Sequence, residues 1–207
     1  MLTLVVSALP GEGAECLASN IAHQYAVAGH TPLLIDADFR AAALTQQLAG
    51  NSASGFLDRM AGRKPVAGAI LRDCATGLHF LPACGPSPIP IPVHDILRSK
   101  AFADAIAALR KDFVTIVMAA PPLLKADDAR ILADLADDIV FVTAWQKTPK
   151  RVARQALSKI AGCQAKIVGA ALTDIAARED TAIMSLYEVL AEMKAVAPRR
   201  IFKAHAA

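Results

Sequence analysis

Short apolar runs rich in valine, isoleucine and leucine alternate along this chain with longer stretches of helical period, and that alternation leaves few folds open. The runs at Leu2–Val6, Pro32–Ile35, Gly77–Leu81, Phe113–Met118, Asp138–Thr143 and Lys166–Ala171 read as strands. The stretches near Glu15–Ala28, Gly55–Ala61, Val93–Arg110, Asp127–Leu135, Pro149–Ala161 and Asp180–Val196 read as helices. Strands continuously apolar rather than alternating are buried on both faces, which predicts an α/β fold: a parallel sheet with helices on both faces. Within Val93–Arg110, Phe102, Ile106 and Leu109 recur at i, i+4 and i+7, the spacing of a helix face laid on a sheet.

A chain of 207 residues, 55% apolar, is long enough for one well-buried core and short for two. One domain over residues 1–198 with a flexible tail at 199–207 is expected, since Arg199–Ala207 has no period. The segment PACGPSPIPIP (82–92), whose five prolines fix φ and remove amide donors, reads as an extended connection inside that domain.

Alanine, rather than lipid-facing residues, carries much of the apolar count and suits close packing of helices on a sheet. The longest uncharged run, Cys16 to Ile35, holds Ser19, Asn20, His23, Gln24, His30, Thr31 and Pro32, poor company for a membrane span. The start MLTLVVSALPGEG lacks the basic leader of a secretory signal, and a cytoplasmic location is expected. Cys16, Cys74, Cys84 and Cys163 are far apart, and the five histidines have no ligand spacing, so no metal site is expected. A net charge of +3 is too small to argue for nucleic acid. The local basic group Lys147, Lys150, Arg151 and Arg154 reads as a solvated helix face. Trp145, just after a strand, reads as core-edge packing or a partner contact. Asp127 and Asp128 open a helix, where acids suit the dipole.

The most informative segment follows the first strand. Pro10, Gly11, Glu12, Gly13, Ala14, Glu15 and Cys16 form a glycine-containing turn that runs into a helix N-terminus, the arrangement that presents backbone amides and a positive dipole end to an anion. Taken alone, two glycines between strand and helix also describe a tight turn. A phosphate loop needs a lysine directly after its last glycine and then a serine or threonine for Mg²⁺; those places hold Ala14 and Glu15. Two like charges ~4 Å apart at an effective dielectric near 20 repel by about 4 kcal/mol, about three decades in affinity. The next apolar run ends in Asp36 and Asp38, followed by Arg40, at the carboxyl edge where α/β sheets place ligands. A later run, FVTIVMAAPPLL, ends in Ala119, Ala120 and a double proline.

SALPGEGAEC, LLIDADFR, VTIVMAAPP and GFLDRMAG together resemble the bacterial tyrosine kinases of polysaccharide assembly, within the wider group of partitioning and septum-site P-loop ATPases. The likeness is collinear over most of the chain and implies the P-loop NTPase fold. By that resemblance Ala14 stands at the family's phosphate lysine, Glu15 at its Mg²⁺ serine, Ala119 at its Walker B aspartate and Ala120 at the adjoining threonine, while Asp36, Asp38 and Arg40 are retained. The family's C-terminal tyrosine cluster is not matched, since the only tyrosines are Tyr25 and Tyr187.

The resemblance therefore implies a regulatory or scaffold module of exopolysaccharide or capsule synthesis that lacks catalytic residues and has no required cofactor. The alternative is a weak Mg²⁺-ATP-dependent tyrosine kinase or ATPase that retains weak ATP or ADP binding and borrows a cation such as Lys125 or Lys147. The implied partners are an inner-membrane polysaccharide co-polymerase or an active tyrosine kinase, with self-association a further option. Location at the inner face of the membrane would come through that partner or an N-terminal anchor outside this chain. A further expectation concerns Glu15: its carboxylate would occupy the empty cradle.

Overall fold

The computed structural model describes residues 1–50, 54–62, 65–85 and 92–175, with 202–204 as backbone. The chain alternates strand and helix: β1 (Leu2–Ser7), α1 (Ala14–Val27), β2 (Leu33–Asp36), α2 (Ala43–Leu48), α3 (Phe56–Ala61), β3 (Leu71–Asp73) and β4 (His79–Leu81). It continues with α4 (Val93–Arg98), α5 (Lys100–Asp112), β5 (Ile116–Ala119), α6 (Asp128–Leu135), β6 (Asp138–Ala144), α7 (Lys150–Ser158), β7 (Ile167–Thr173) and β8 (Phe202–Ala204). The eight strands form one sheet in the order β7-β6-β1-β5-β2-β4-β3-β8. From β7 through β4 all pairings are parallel, and β3 and β8 add on antiparallel. From β1 the chain moves past β5 to β2 on one side, and later returns to β6 on the other. The loop after β1 therefore sits at the point where strand order reverses, the place where open α/β sheets bind ligands.

Each central strand is buried on both faces and divides its side chains between two cores. Leu4, Val6, Leu33, Ile35, Ile116 and Met118 face α3, α4, α5, α6 and α7. Val5, Leu34, Val117 and Ala119 face α1 and α2. Helix α1 meets the sheet through Ala14, Ala18, Ala22 and Ala26, a stripe of small residues four apart that lets the helix lie close. The opposite face is closed by Phe39, Phe56 and Phe102: Phe56 stacks on Phe102 at 5.1 Å between centroids and Phe39 meets Phe56 at 5.9 Å. That cluster joins the residue after Asp38 to the start of α3 and to α5.

All six expected strands are present, with ends moved by a few residues. The structure also departs from the expectation. The stretch read as one helix over Val93–Arg110 is two, broken at Ser99, whose extended backbone (φ −70°, ψ 147°) interrupts the hydrogen-bond ladder. Its Oγ donates to the Ile96 carbonyl at 2.7 Å and accepts the Phe102 amide at 3.1 Å, ending α4 and capping α5 with one side chain. Helix α2 and strand β3 have no counterpart in the sequence reading, being too short to show a period. Of the tail expected to be flexible, Phe202–Ala204 pairs with β3. The helix expected at Asp180–Val196, and residues 86–91 of the proline-rich connection, lie outside the described residues.

Candidate functional site

The loop after β1 is tied down by its own glutamate. Gly11 (φ 77°) and Gly13 (φ 81°) take the left-handed conformation that the turn requires, and α1 starts at Ala14. Glu12 points inward and is buried. Its Oε2 accepts the Leu9 amide at 2.6 Å, its Oε1 accepts the Thr148 hydroxyl, and the Ala144 amide approaches Oε1 at 3.5 Å. The Glu12 carbonyl accepts the Thr173 hydroxyl at 2.7 Å. One residue thus ties the loop to the ends of both β6 and β7.

Among the described residues, the amides of Gly11, Glu12, Gly13, Ala14, Glu15 and Cys16 have no protein acceptor; the first intrahelical bond at this end is Leu17 N to the Gly13 carbonyl, at 2.9 Å. They form a row of amides without protein acceptors at the start of α1. Pro10, Gly11 and Cys16 are exposed, Gly13 and Glu15 half-buried, and Ala14 buried. The expectation for Glu15 is overturned: it makes no hydrogen bond among the described residues, and the carboxylate inside the loop is that of Glu12, three positions earlier. Glu12 can reach back to Leu9 because the turn reverses there, whereas Glu15 already lies on the helix.

The second acidic motif also faces inward. Asp36 ends β2 and is buried; its Oδ2 accepts both the amide (2.8 Å) and the hydroxyl (2.7 Å) of Thr45, and its Oδ1 accepts the Asp38 amide at 3.1 Å. Burial pushes its acid up to about 6, against the opposing effect of the Thr45 and Asp38 hydrogen bonds. Thr45 Oγ1 in turn accepts the Ala83 amide at 2.8 Å, so Asp36 organises α2 and the end of β4. Asp38, also buried, accepts the Arg40 and Ala41 amides on Oδ1 at 3.2 and 3.0 Å and shapes the turn that follows.

Ala119, at the end of β5, sits in register between Val5 of β1 and Asp36 of β2. Ala119 and Ala120 are buried, and the strand continues into Pro121 and Pro122 alongside the end of β1: Ala120, Leu123 and Leu124 donate their amides to Val5, Ser7 and Ala8 at 3.0, 2.9 and 3.2 Å. The loops after β1, β2 and β5 are thereby brought together at one sheet edge.

Arg40 reaches across this edge. Its Nε donates to Asp128 Oδ2 at 2.9 Å, and His94 Nδ1 stands 4.0 Å from the other oxygen. Asp128 is buried although it is the first residue of α6, so the helix dipole alone does not account for it; it is an ion-pair anchor between the second motif and α6. Of the two lysines considered as replacement cations, Lys147 is bound to Asp174 at 2.7 Å, and Lys125 is exposed with no side-chain bond among the described residues. Among the described residues no three His, Cys, Asp or Glu side chains are grouped to hold a metal ion. Nor is any described helix long and apolar enough to cross a membrane. Sequence reasoning missed Thr45, Thr148 and Thr173, since hydroxyl partners 9, 136 and 161 positions from their acceptors leave no linear signal.

Comparison with known proteins points one way. The chain is 35% identical over 168 residues to the succinoglycan biosynthesis transport protein ExoP of Rhizobium meliloti, covering 81% of this chain and 21% of that protein. It is 30% identical over 157 residues to the tyrosine-protein kinase CpsD of Streptococcus pneumoniae serotype 4, covering 75% of this chain and 68% of that one. Among solved structures, the VpsO kinase domain superposes with a TM-score of 0.76 at 27% identity, over 84% of this chain and 85% of that domain. No family model matches. The fold is that of the P-loop NTPases, as the resemblance implied. The chain spans about a fifth of the length of the R. meliloti protein.

Proposed function

Because this chain belongs to the family of bacterial tyrosine kinases and exopolysaccharide-biosynthesis proteins, we propose that it serves exopolysaccharide or capsule assembly as a regulatory or scaffold module without kinase chemistry. The observation that carries this reading is the composition of the phosphate-loop edge. Ala14 supplies no cation, Glu15 brings a negative charge to the helix N-terminus, and Ala119 carries no carboxylate where β5 meets Asp36. Asp36 has both oxygens engaged by Thr45 and Asp38. These residues do not fit a Mg²⁺–triphosphate: the amides suit an anion, but Ala14, Glu15 and Ala119 supply neither a cation nor a metal ligand, and Asp36 is turned inward. No step of phosphoryl transfer is derived from them.

Its partners in this reading are an inner-membrane polysaccharide co-polymerase or an active tyrosine kinase, with self-association as a further mode. Location at the inner face of the membrane follows from such a partner or from a segment outside this chain. The rival reading, weak Mg²⁺-ATP binding with residual kinase or ATPase activity, draws support from the row of amides without protein acceptors.

Calorimetric titration with ATP and ADP plus Mg²⁺ at near-physiological salt separates the two. The native chain is expected to give no binding heat, and a variant combining Ala14→Lys, Glu15→Ser and Ala119→Asp is expected to bind. Micromolar affinity in the native chain would overturn the proposal.

A further inference from the structure

We propose that the corner formed by Trp145, Ile175 and the first turns of α7 is a docking surface for an extended acidic segment of a partner protein. The inference rests on the reading of the chain as a contact module and goes on to name the chemistry of what it contacts. Trp145, Leu172 and Ile175 are 47%, 52% and 43% exposed, three large apolar side chains at or just past the ends of β6 and β7. The two strand ends are joined there: Trp145 donates its amide to the Thr173 carbonyl at 2.8 Å, and Leu172 lies opposite Thr143 in the β6–β7 register.

Next to them, α7 carries Lys150, Arg151 and Arg154, all exposed and without a carboxylate partner among the described residues, whereas neighbouring Lys147 is neutralised by Asp174. Residues three and four apart on a helix are neighbours, about 5–6 Å between Cβ atoms. Side chains on one side of an extended peptide repeat every ~6.6 Å, so carboxylates at alternate positions match these cations while the chain continues onto Trp145. Asp174 and Glu15 lie at the same sheet edge; a uniformly anionic surface meets them as well as the cations, while a peptide with discrete carboxylates need not.

The corner is also braced by side-chain bonds, and a surface held in its bound shape costs less to bind. Gln146 and Asp174 both hold left-handed backbone (φ 57° each) although neither is glycine, a strained geometry kept by its surroundings. Those surroundings are the Lys147–Asp174 ion pair and the Thr148 hydroxyl bound to Glu12. The corner is thereby continuous with the phosphate loop.

Trp145 is the chain's single tryptophan, so its emission reports this surface alone. The probe is a synthetic tryptophan-free peptide of alternating Glu and Val around one central Phe. A saturable, salt-sensitive shift of Trp145 emission is expected, with affinity falling about tenfold or more in Arg151→Glu/Arg154→Glu. Both positions are exposed, and an unchanged melting curve verifies that the variant is folded. No saturable shift, equal affinity in the charge-reversed variant, equal response to a Lys-for-Glu peptide, or tighter binding of phosphatidylglycerol vesicles or duplex DNA than of the peptide each overturns the proposal. An ADP titration of the same sample keeps the two readings apart. ADP binding contradicts the contact-module reading whatever the peptide does, and a silent peptide with silent ADP removes the docking surface alone.

Discussion

Glu12 and Thr148 stand 136 positions apart in the chain, yet the threonine hydroxyl donates to the glutamate carboxylate. The same carboxylate accepts the Leu9 amide at 2.6 Å, so the loop after β1 and the β6–α7 connection are held by one buried side chain.

Removing either partner should therefore be felt at the other. Glu12→Gln is expected to cost about 1–3 kcal/mol, since a buried amide group is left poorly paired. Thr148→Val should cost about 1 kcal/mol. The double variant should lose less than the sum, by about 0.5 kcal/mol or more, because the two act through one bond. Urea unfolding of the four proteins checks this, and strictly additive losses would show that Glu12 holds the loop without Thr148.

Asp36 makes stability depend on pH in a defined direction. Burial raises its pKa in the folded protein from 3.8 to about 6, so between those values the folded chain binds more proton than the unfolded one. Its contribution is fully present below about pH 4 and is lost as pH rises through 6. The loss amounts to about 3 kcal/mol at most, from a shift of roughly two units. Asp36→Asn removes this titration. The stability of the native chain minus that of the variant should fall between pH 4 and pH 7, and a difference constant with pH in denaturant melts would contradict the assignment.

Gly55 opens α3 where the backbone passes directly over β4's exit. A Cβ there would lie 2.5 Å from the Cys84 nitrogen and 2.7 Å from the Ala83 carbonyl carbon, both backbone atoms that cannot swing aside. Phe56 and Leu57 donate their amides to Pro82 and Ala83 across this contact, at 2.8 and 2.9 Å. Gly55→Ala should destabilise by about 2–3 kcal/mol. Gly162→Ala, with nothing within 4 Å of the new methyl, should stay within about 0.5 kcal/mol of the native chain. Thermal melts of the two variants give the comparison.

The four thiols should separate by environment. Cys16 and Cys74 are exposed. Burial, reinforced by Asp58 and Asp36, pushes the Cys84 thiol up, and burial with the hydrogen bond to Asp134 does the same for Cys163. Less thiolate means slower attack. Ellman's reagent at pH 8 should label two thiols quickly and the other two about tenfold or more slowly, with mass spectrometry placing the fast pair at Cys16 and Cys74.

What could be read from the sequence follows the range of the forces involved. Buried parallel strands announce themselves as unbroken apolar runs, and Leu2–Ser7, Leu33–Asp36 and Ile116–Ala119 fall where those runs are. Gly11 and Gly13 mark the loop because a left-handed turn is a local demand of the backbone. Ser99 lies hidden inside a helical period, since its hydroxyl is as compatible with a continuous helix as with the cap that separates α4 from α5. The ion pair of Arg40 with Asp128 was likewise invisible: each residue alone had a sufficient local explanation, a retained motif and a helix N-terminus.

The sequence by itself determined the strand–helix alternation, the two-sided sheet and the position of the loop at its edge, because periodicity and backbone preference are properties of neighbours in the chain. It also identified which residue types stand at the loop, Ala14, Glu15 and Ala119 among them. Which carboxylate enters the loop, which acids are turned inward, and which cations remain unpaired were decided only by the tertiary structure. Those outcomes depend on hydrogen bonds and burial between residues that folding brings together from β1, β2, β6, β7 and α6, and charge and hydroxyl partners at such separations have no imprint on local pattern.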